Sequence, residues 1–314
     1  MGSELDFISW LSQQQCPTPD VIVGIGDDAA VVRPMVHGLV CTTDMLMEGS
    51  CFLLHDAGPY RVGQKAIHVN LSDLAAMLAI PKYVLISLGI PRSFSLETIK
   101  NLYLGMKNAC NHHDVVIIGG DTNSWEGPLT ISVTALGEAP AGGSPLRSHA
   151  QVGDGIFVTG PLGGSILGHH LDFQPKTDWI SFLRQHPVRG MLDISDGLAC
   201  DLLKICQASH VGAELFAQQI PITLAAKELA AKTGKTSLEH ALHDGEDFEL
   251  LFTIAQSDIP ALVAAHAQSP LPPTLFRIGE IVANGFWLKN ENSLTKLSPH
   301  GYEHLFGENA PPEQ

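Results

Sequence analysis

Basic residues are scarce in this chain: 18 Lys and Arg stand against 33 Asp and Glu, giving a formal net charge of -15 over 314 residues. No run of cations is present, which argues against a nucleic-acid partner, because binding to a phosphate backbone depends on clustered Lys and Arg. Cysteine is sparse as well. Cys16, Cys41, Cys51, Cys110, Cys200 and Cys206 form no CxxC pair and no zinc-like spacing. That pattern points away from a disulfide scaffold or zinc ribbon and toward a reducing, cytoplasmic setting. No apolar stretch approaches the length of a membrane span, and no basic segment followed by an apolar one opens the chain, so no membrane association is expected. Neither a GxxxxGK[ST] phosphate loop nor a GxGxxG dinucleotide loop occurs. With 45% hydrophobic and only 16% charged residues the composition is globular, and the length suits one large or two ordinary domains.

What the chain does have is acid set beside glycine, serine and threonine. Six such signatures recur: GIGDDAA (Gly24 to Ala30), TTD (Thr42 to Asp44), NLSD (Asn70 to Asp73), GGDT (Gly119 to Thr122), DISDG (Asp193 to Gly197) and GED (Gly245 to Asp247). Carboxylates and hydroxyls are the hard oxygen donors that Mg²⁺ prefers, and Mg²⁺ is commonly shared between one or two carboxylates and a substrate's phosphates. An acidic protein that binds a polyphosphate needs such cations between the two. The chain therefore reads first as a Mg²⁺–nucleotide enzyme. Each motif also has a plainer reading. GIGDDAA fits an Asp-rich turn equally well, TTD a strand-end cap, and Asp196 a helix N-cap. Asp73 is harder to dismiss, because VNLSDLAAM surrounds it with residues that favour burial, where a carboxylate is rare unless paired or metal-bound. Lys65 and Arg147 flank acidic motifs; Lys65 reads as an ordinary surface charge, and His169 and His170 as solvent-side residues.

Periodicity and turn signals predict an opening helix over residues 3–15, short strands at 21–25, 30–33 and 39–43, and a helix from about Pro59 to Leu78 stopped by Pro81. A strand at 83–88, a helix over 96–112, a strand at 115–118 that ends at Gly119-Gly120-Asp121, and a strand at 129–136 follow. Ala139 to Ser144, rich in Gly and Pro, is the expected linker between domains 1–140 and 141–314. In the second half, strands are expected at 155–159, 248–252, 276–282 and 286–288, and helices at 198–209 and 259–266. The mixed order indicates an α+β protein built of two α/β domains.

Taken in order, GIGDDAAVV, VNLSDLAAM, GGDT, DISDGL and GEDFELLF resemble the thiamine-monophosphate kinases, and the similarity runs over nearly the whole chain, from SELDFI to GYEH. That family is related to aminoimidazole ribonucleotide synthetase, selenophosphate synthetase and a hydrogenase-maturation enzyme. The resemblance implies an aminoimidazole ribonucleotide synthetase-like N-terminal domain whose mixed sheet pairs with that of a second subunit in a homodimer. It also implies a C-terminal α/β domain, with ATP in the cleft between the two. The implied reaction is phosphorylation of thiamine monophosphate by ATP. Carried over by motif, Asp28, Thr43, Asp44, Asp73, Asp121, Asp193 and Asp196 would hold Mg²⁺. Gly120, Asp121, Arg147 and Ser195 would meet ATP, while Cys51, Glu246 and Tyr302 would lie on the thiamine side. No catalytic base is nominated, since a phosphate oxygen is already an anionic nucleophile. Three differences from the family pattern stand out: Cys51-Phe52 in place of His-Phe, Asp244-Gly245 in place of Gly-Gly, and a short stretch between Gly160 and Asp193. They leave open a divergent paralogue that uses ATP on another small molecule, or a nucleotide-binding subunit without catalysis.

Overall fold

The computed structural model describes residues 10–11, 13–14, 18–25 and 29–298. The described residues divide into two compact units, one of those up to Leu74 together with Ala79–Ala141, the other of Ala75–Leu78 with those from Gly142 onward. Among the described residues, β1 (Val21–Val23) and β2 (Val31–Val32) form a small antiparallel pair. The main sheet of the first unit contains β3 (Leu39–Met47), β4 (Ile80–Pro91), β5 (Val116–Trp125) and β6 (Thr130–Glu138), in the order β3-β6-β4-β5. β4 runs parallel to β5 and antiparallel to β6.

These strands are longer than their sequence signals. β3 pairs with β6 residue for residue over nine positions, so Thr42-Thr43-Asp44 lies in mid-strand rather than at a strand end. Gly119-Gly120-Asp121 is likewise inside β5. Pro81 does not stop the preceding helix. Pro59–Ala76 ends earlier, where Leu78 takes a left-handed φ of 51° and the amides of Leu78 and Ala79 bond back to the carbonyls of Ala75 and Leu74. This paired bonding is a Schellman-type closure; Pro81 sits within β4 beside a register shift.

One face of the first sheet is apolar and buried through Val84, Ile86, Leu88, Ile131, Val133 and Ala135. The helix Leu96–His112 starts where expected, because Ser95 accepts the Thr98 amide as an N-cap. It crosses the 59–76 helix at two glycines. A methyl at Gly105 would stand 1.9 Å from the Tyr60 carbonyl oxygen, and one at Gly63 2.1 Å from that of Leu102. This close crossing fixes the helix that carries Asp73.

The second unit is built on a sheet of β7 (Gly155–Val158), β8 (Val188–Asp193), β9 (Gly212–Phe216), β10 (Leu250–Ile254), β11 (Phe276–Val282), β12 (Phe286–Asn290) and β13 (Ser293–Lys296), ordered β13-β12-β9-β11-β7-β10-β8. All its pairs are antiparallel except β12 with β9. One face packs Ile156, Val158 and Leu251 with Leu198, Leu202 and Ile205; the other packs Phe157, Phe252 and Ile254 with Trp179, Ile180 and Leu262. Covered on both faces, β7 and β10 read as continuous apolar runs without alternation. Among the described residues no helix is long and apolar enough to cross a membrane.

Alanine normally stabilises a helix interior by about 1 kcal/mol over glycine. At Gly105 the expected effect reverses: Gly105→Ala lowers stability by about 1–3 kcal/mol, because the added carbon overpacks the crossing. Urea melts decide between the two signs.

Candidate functional site

The first cluster lies where β3 meets the 59–76 helix. Side chains alternate along a strand, so Thr42 and Asp44 share one face and Thr43 the other. The Thr42 hydroxyl donates to Asp73 Oδ2 at 2.5 Å. Asp44 Oδ2 is buried and accepts no hydrogen bond. Burial, reinforced by the Asp73 charge, pushes the Asp44 carboxyl up to about 7. The Thr43 hydroxyl instead donates to the Val133 carbonyl at 3.1 Å and accepts from Thr134 at 3.2 Å. The hydroxyl beside Asp73 is that of Thr42, which belongs to the TTD motif but not to the ligand set the resemblance implies.

Asp44, Val133, Ile86 and Gly120 form one row across the sheet. Three strand spacings of about 4.8 Å put Gly120 roughly 14 Å from Asp44 along that row. Gly120 has no room for a side chain, since a methyl there would lie 1.8 Å from the Ile86 carbonyl oxygen. Asp121 is exposed, falls in the next row opposite Ser87, and accepts from Asn123 Nδ2 at 3.3 Å. By alternation it stands on the opposite face from Asp44, so this sheet does not gather Asp121 with Asp44 and Asp73. Lys65 is not the surface charge its sequence suggested. It is 0% exposed, and its ammonium donates to the Cys51 carbonyl at 2.8 Å. The turn bearing Cys51 is thereby tied to the same helix as Asp73.

In the second unit, the DISDG and GED motifs meet. Backbone bonds run from Ile194 N to Glu249 O, from Phe248 N to Ile194 O and from Glu246 N to Ser195 O, each 2.8 Å. Asp193, the buried last residue of β8, lies opposite Leu250. Asp196 does not cap the helix Leu198–Ser209; its Oδ2 takes the Lys204 ammonium at 2.5 Å. The turn is held by Asp201, one helical turn further on, whose Oδ2 accepts the amides of Ser195 and Asp196 at 2.9 Å each, while its Oδ1 takes Lys204 at 2.6 Å. Burial raises the Asp201 carboxyl and Lys204 offsets this only in part; burial also works against Lys204, but Asp196 and Asp201 outweigh it and its pKa is raised.

A third loop joins these two. Asp247 accepts the Gly163 amide, Asp244 accepts the Gly164 amide at 2.8 Å, and the Ser165 hydroxyl donates to the Gly245 carbonyl. Asp244 also receives His240 Nδ1 at 3.0 Å. Glu249 is buried against Lys176, at 2.7 Å, and the Thr159 hydroxyl. Burial, with Glu249, Asp244 and Asp201 nearby, holds the Asp247 carboxyl well above the usual carboxylate range despite the Gly163 amide. His169 is exposed as expected, yet its Nε2 donates to the Asp247 carbonyl at 3.0 Å. The stretch 160–193 thus supplies this loop, the helix Thr177–Leu183 and β8.

Arg147 is exposed on a 3-10 turn, and its carbonyl accepts the Ser209 hydroxyl. Asp28 and Tyr302 lie outside the described residues. Among the described residues, no group of three or more His, Cys, Asp or Glu side chains stands close enough to hold a metal ion. The Asp44–Asp73 pair nonetheless fits a hard cation that keeps part of its shell in water and phosphate oxygens: it offers two carboxylates, a neighbouring hydroxyl and an orphaned oxygen.

Two family profiles match the chain in tandem: AIR synthase related protein, N-terminal domain, over residues 26–139, and AIR synthase related protein, C-terminal domain, over residues 173–286. They define the class, a two-domain AIR synthase related protein. A thiamine-monophosphate kinase of Rhodopirellula baltica is 38% identical over 315 residues, spanning 96% of this chain and 97% of that protein. The crystal structure of thiamine-monophosphate kinase from Stenotrophomonas maltophilia K279a matches with a TM-score of 0.78 at 33% identity, over 92% of this chain and 96% of that one. AaThiL complexed with AMPPCP and TMP matches with a TM-score of 0.75 at 29% identity, over 96% and 97%. The chain belongs to the thiamine-monophosphate kinase family.

The Asp44 shift carries a stability consequence. An acid whose folded pKa is raised stabilises the fold below its unfolded value, and that contribution is lost as pH rises through the folded value. Between the ordinary 3.8 and about 7, the metal-free protein should therefore lose stability relative to Asp44→Asn. Melting curves in a chelating buffer should show this gap opening over that range and staying constant above it. A gap independent of pH would mean that Asp44 ionises as freely in the fold as in water.

Proposed function

We propose that this chain transfers the γ-phosphoryl group of ATP to the phosphate of thiamine monophosphate, releasing ADP and thiamine diphosphate. The observation that carries this reading is the Asp44–Asp73 pair, one oxygen of which is buried without a hydrogen bond. A family member holding AMPPCP and TMP together supports it. An acceptor phosphate oxygen forms the new P–O bond as the bond to the β-phosphate breaks, and ADP departs with that electron pair. The acceptor is already anionic, so no side chain has to remove a proton. Catalysis of this kind is positioning and charge stabilisation.

Asp44 and Asp73 are proposed to share one Mg²⁺, and Asp28, Thr43, Asp121, Asp193 and Asp196 are proposed as ligands of further Mg²⁺ ions. Thr42 orients Asp73 through its hydroxyl. When bound, Mg²⁺ supplies the positive charge that lets two anionic phosphates approach. At Asp196 it competes with the Lys204 ammonium. Gly120, Asp121, Arg147 and Ser195 are proposed to contact ATP. Cys51, Glu246 and Tyr302 are proposed for the acceptor, with Lys65 holding the Cys51 carbonyl. Two copies are inferred to pair through the outer face of the first sheet, where Met45 is 60% and Met47 41% exposed. The free thiols Cys41, Cys51, Cys110, Cys200 and Cys206 suit a cytoplasmic location.

Purified protein given ATP, Mg²⁺ and thiamine monophosphate should form thiamine diphosphate, resolved by chromatography. Folded protein that binds ATP yet yields no such product would overturn the assignment. Asp73→Asn should lower kcat/KM by about 10²-fold or more while melting within a few degrees of wild type.

A further inference from the structure

Three consecutive residues of one loop are spent on a second loop. Gly163 N donates to both carboxylate oxygens of Asp247, at 2.9 and 3.1 Å; Gly164 N donates to Asp244; Ser165 Oγ donates to Gly245 O. The Asp247 side chain is 2% exposed and points inward, between Glu246 and Phe248. Both neighbours are left-handed, with φ of 61° and 51°. Such a conformation costs a residue with a side chain about 1–2 kcal/mol and persists only where the surroundings over-determine it. The restraints are visible: Glu246 N and Phe248 N are bonded to the carbonyls of Ser195 and Ile194, and the Phe248 ring stacks on Phe173 at 3.9 Å. Asp247 is the side chain between the two strained residues, and its bond to Gly163 adds a side-chain restraint to those backbone bonds.

We propose that Asp247 is a positioning residue for the acceptor: its bond to the Gly163 amide locks the 244–248 loop so that Glu246 presents its carboxylate in one orientation. This rests on the kinase reading for the identity of the acceptor, and extends it to a residue that touches no substrate. The bond needs an acceptor atom at position 247, not a charge, so the amide of asparagine serves in its place. Alanine leaves the Gly163 donor buried and unmatched.

The test is steady-state kinetics on Asp247→Ala and Asp247→Asn, with amide hydrogen exchange over residues 162–166. In Asp247→Ala the KM for thiamine monophosphate should rise by about tenfold or more, the loss of one buried hydrogen bond, while kcat and the KM for ATP move by less than about threefold. Asp247→Asn should stay within about threefold of wild type in all three, and exchange at Gly163 should accelerate only in the alanine variant. An unchanged acceptor KM in Asp247→Ala, both KM values rising together, or an asparagine variant as damaged as the alanine one overturns the proposal. Should the alanine variant fail to fold, Asp247→Asn decides through its acceptor KM and its Gly163 exchange, both of which must match wild type. A wild type that forms no thiamine diphosphate defeats the kinase reading, and with it the acceptor role. An active wild type with an indifferent Asp247→Ala defeats this proposal alone.

Discussion

Taking a carboxylate out of water costs several kcal/mol unless opposite charge or donors replace the lost hydration, and the two units of this chain meet that cost differently. In the second unit the replacement is internal. Asp201 has Lys204 and two amides, Asp244 has His240 and the Gly164 amide, Asp247 has the Gly163 amide, and Glu249 has Lys176 and Thr159. In the first, Asp44 keeps an oxygen with no hydrogen bond and a raised pKa beside a second acid. Under the proposed reading, this contrast separates acids that build the fold from the Asp44 carboxylate, left for a cation to satisfy. Asp196 falls between, since its counter-ion Lys204 is itself about one-third exposed.

The same contrast explains what could be read from residues alone. Helices 96–112 and 198–209 and strand 276–282 end where periodicity and caps place them. Each boundary is a local event, such as the Ser95 cap, that the chain announces within a few residues. Strand lengths are not local. β3 continues through TTD because β6 supplies a nine-residue partner in unbroken register, and no property of Thr42 or Asp44 reveals that. Lys65 is hidden for a related reason: the apolar stripe of its helix says nothing of the specific acceptor a buried lysine needs, here the Cys51 carbonyl fourteen residues back. The start of the helix Ser237–His243 is also a local signal, the capping box of Thr236 and Glu239.

Of the candidate site, the motif acids were legible and their supports were not. The pairing of DISDG with GED depends on long-range register between β8 and β10, and the Gly163–Ser165 loop on bonds to residues 80 or more positions away, whereas the Asp201 brace is local. Asp201 left one faint trace, its i,i+3 spacing to Lys204. Alternation separates Thr42 from Thr43 only once β3 is known to continue through them, and separating Asp44 from Asp121 needs the register across β6, β4 and β5 as well.

An acidic protein that uses phosphates on both sides of its reaction cannot treat cation and nucleotide as independent ligands. A polyphosphate alone meets a net charge of -15; a cation at Asp44, as proposed, would have to displace a proton held there more tightly than at an ordinary carboxyl. Each partner removes the other's obstacle, and by thermodynamic linkage the factor by which one raises the other's affinity is the same in both directions. If a cation binds at Asp44 as proposed, its orphaned oxygen is where that coupling would enter the fold: the less the protein itself satisfies this carboxylate, the more of its stabilisation would be left for the cation–phosphate pair to supply.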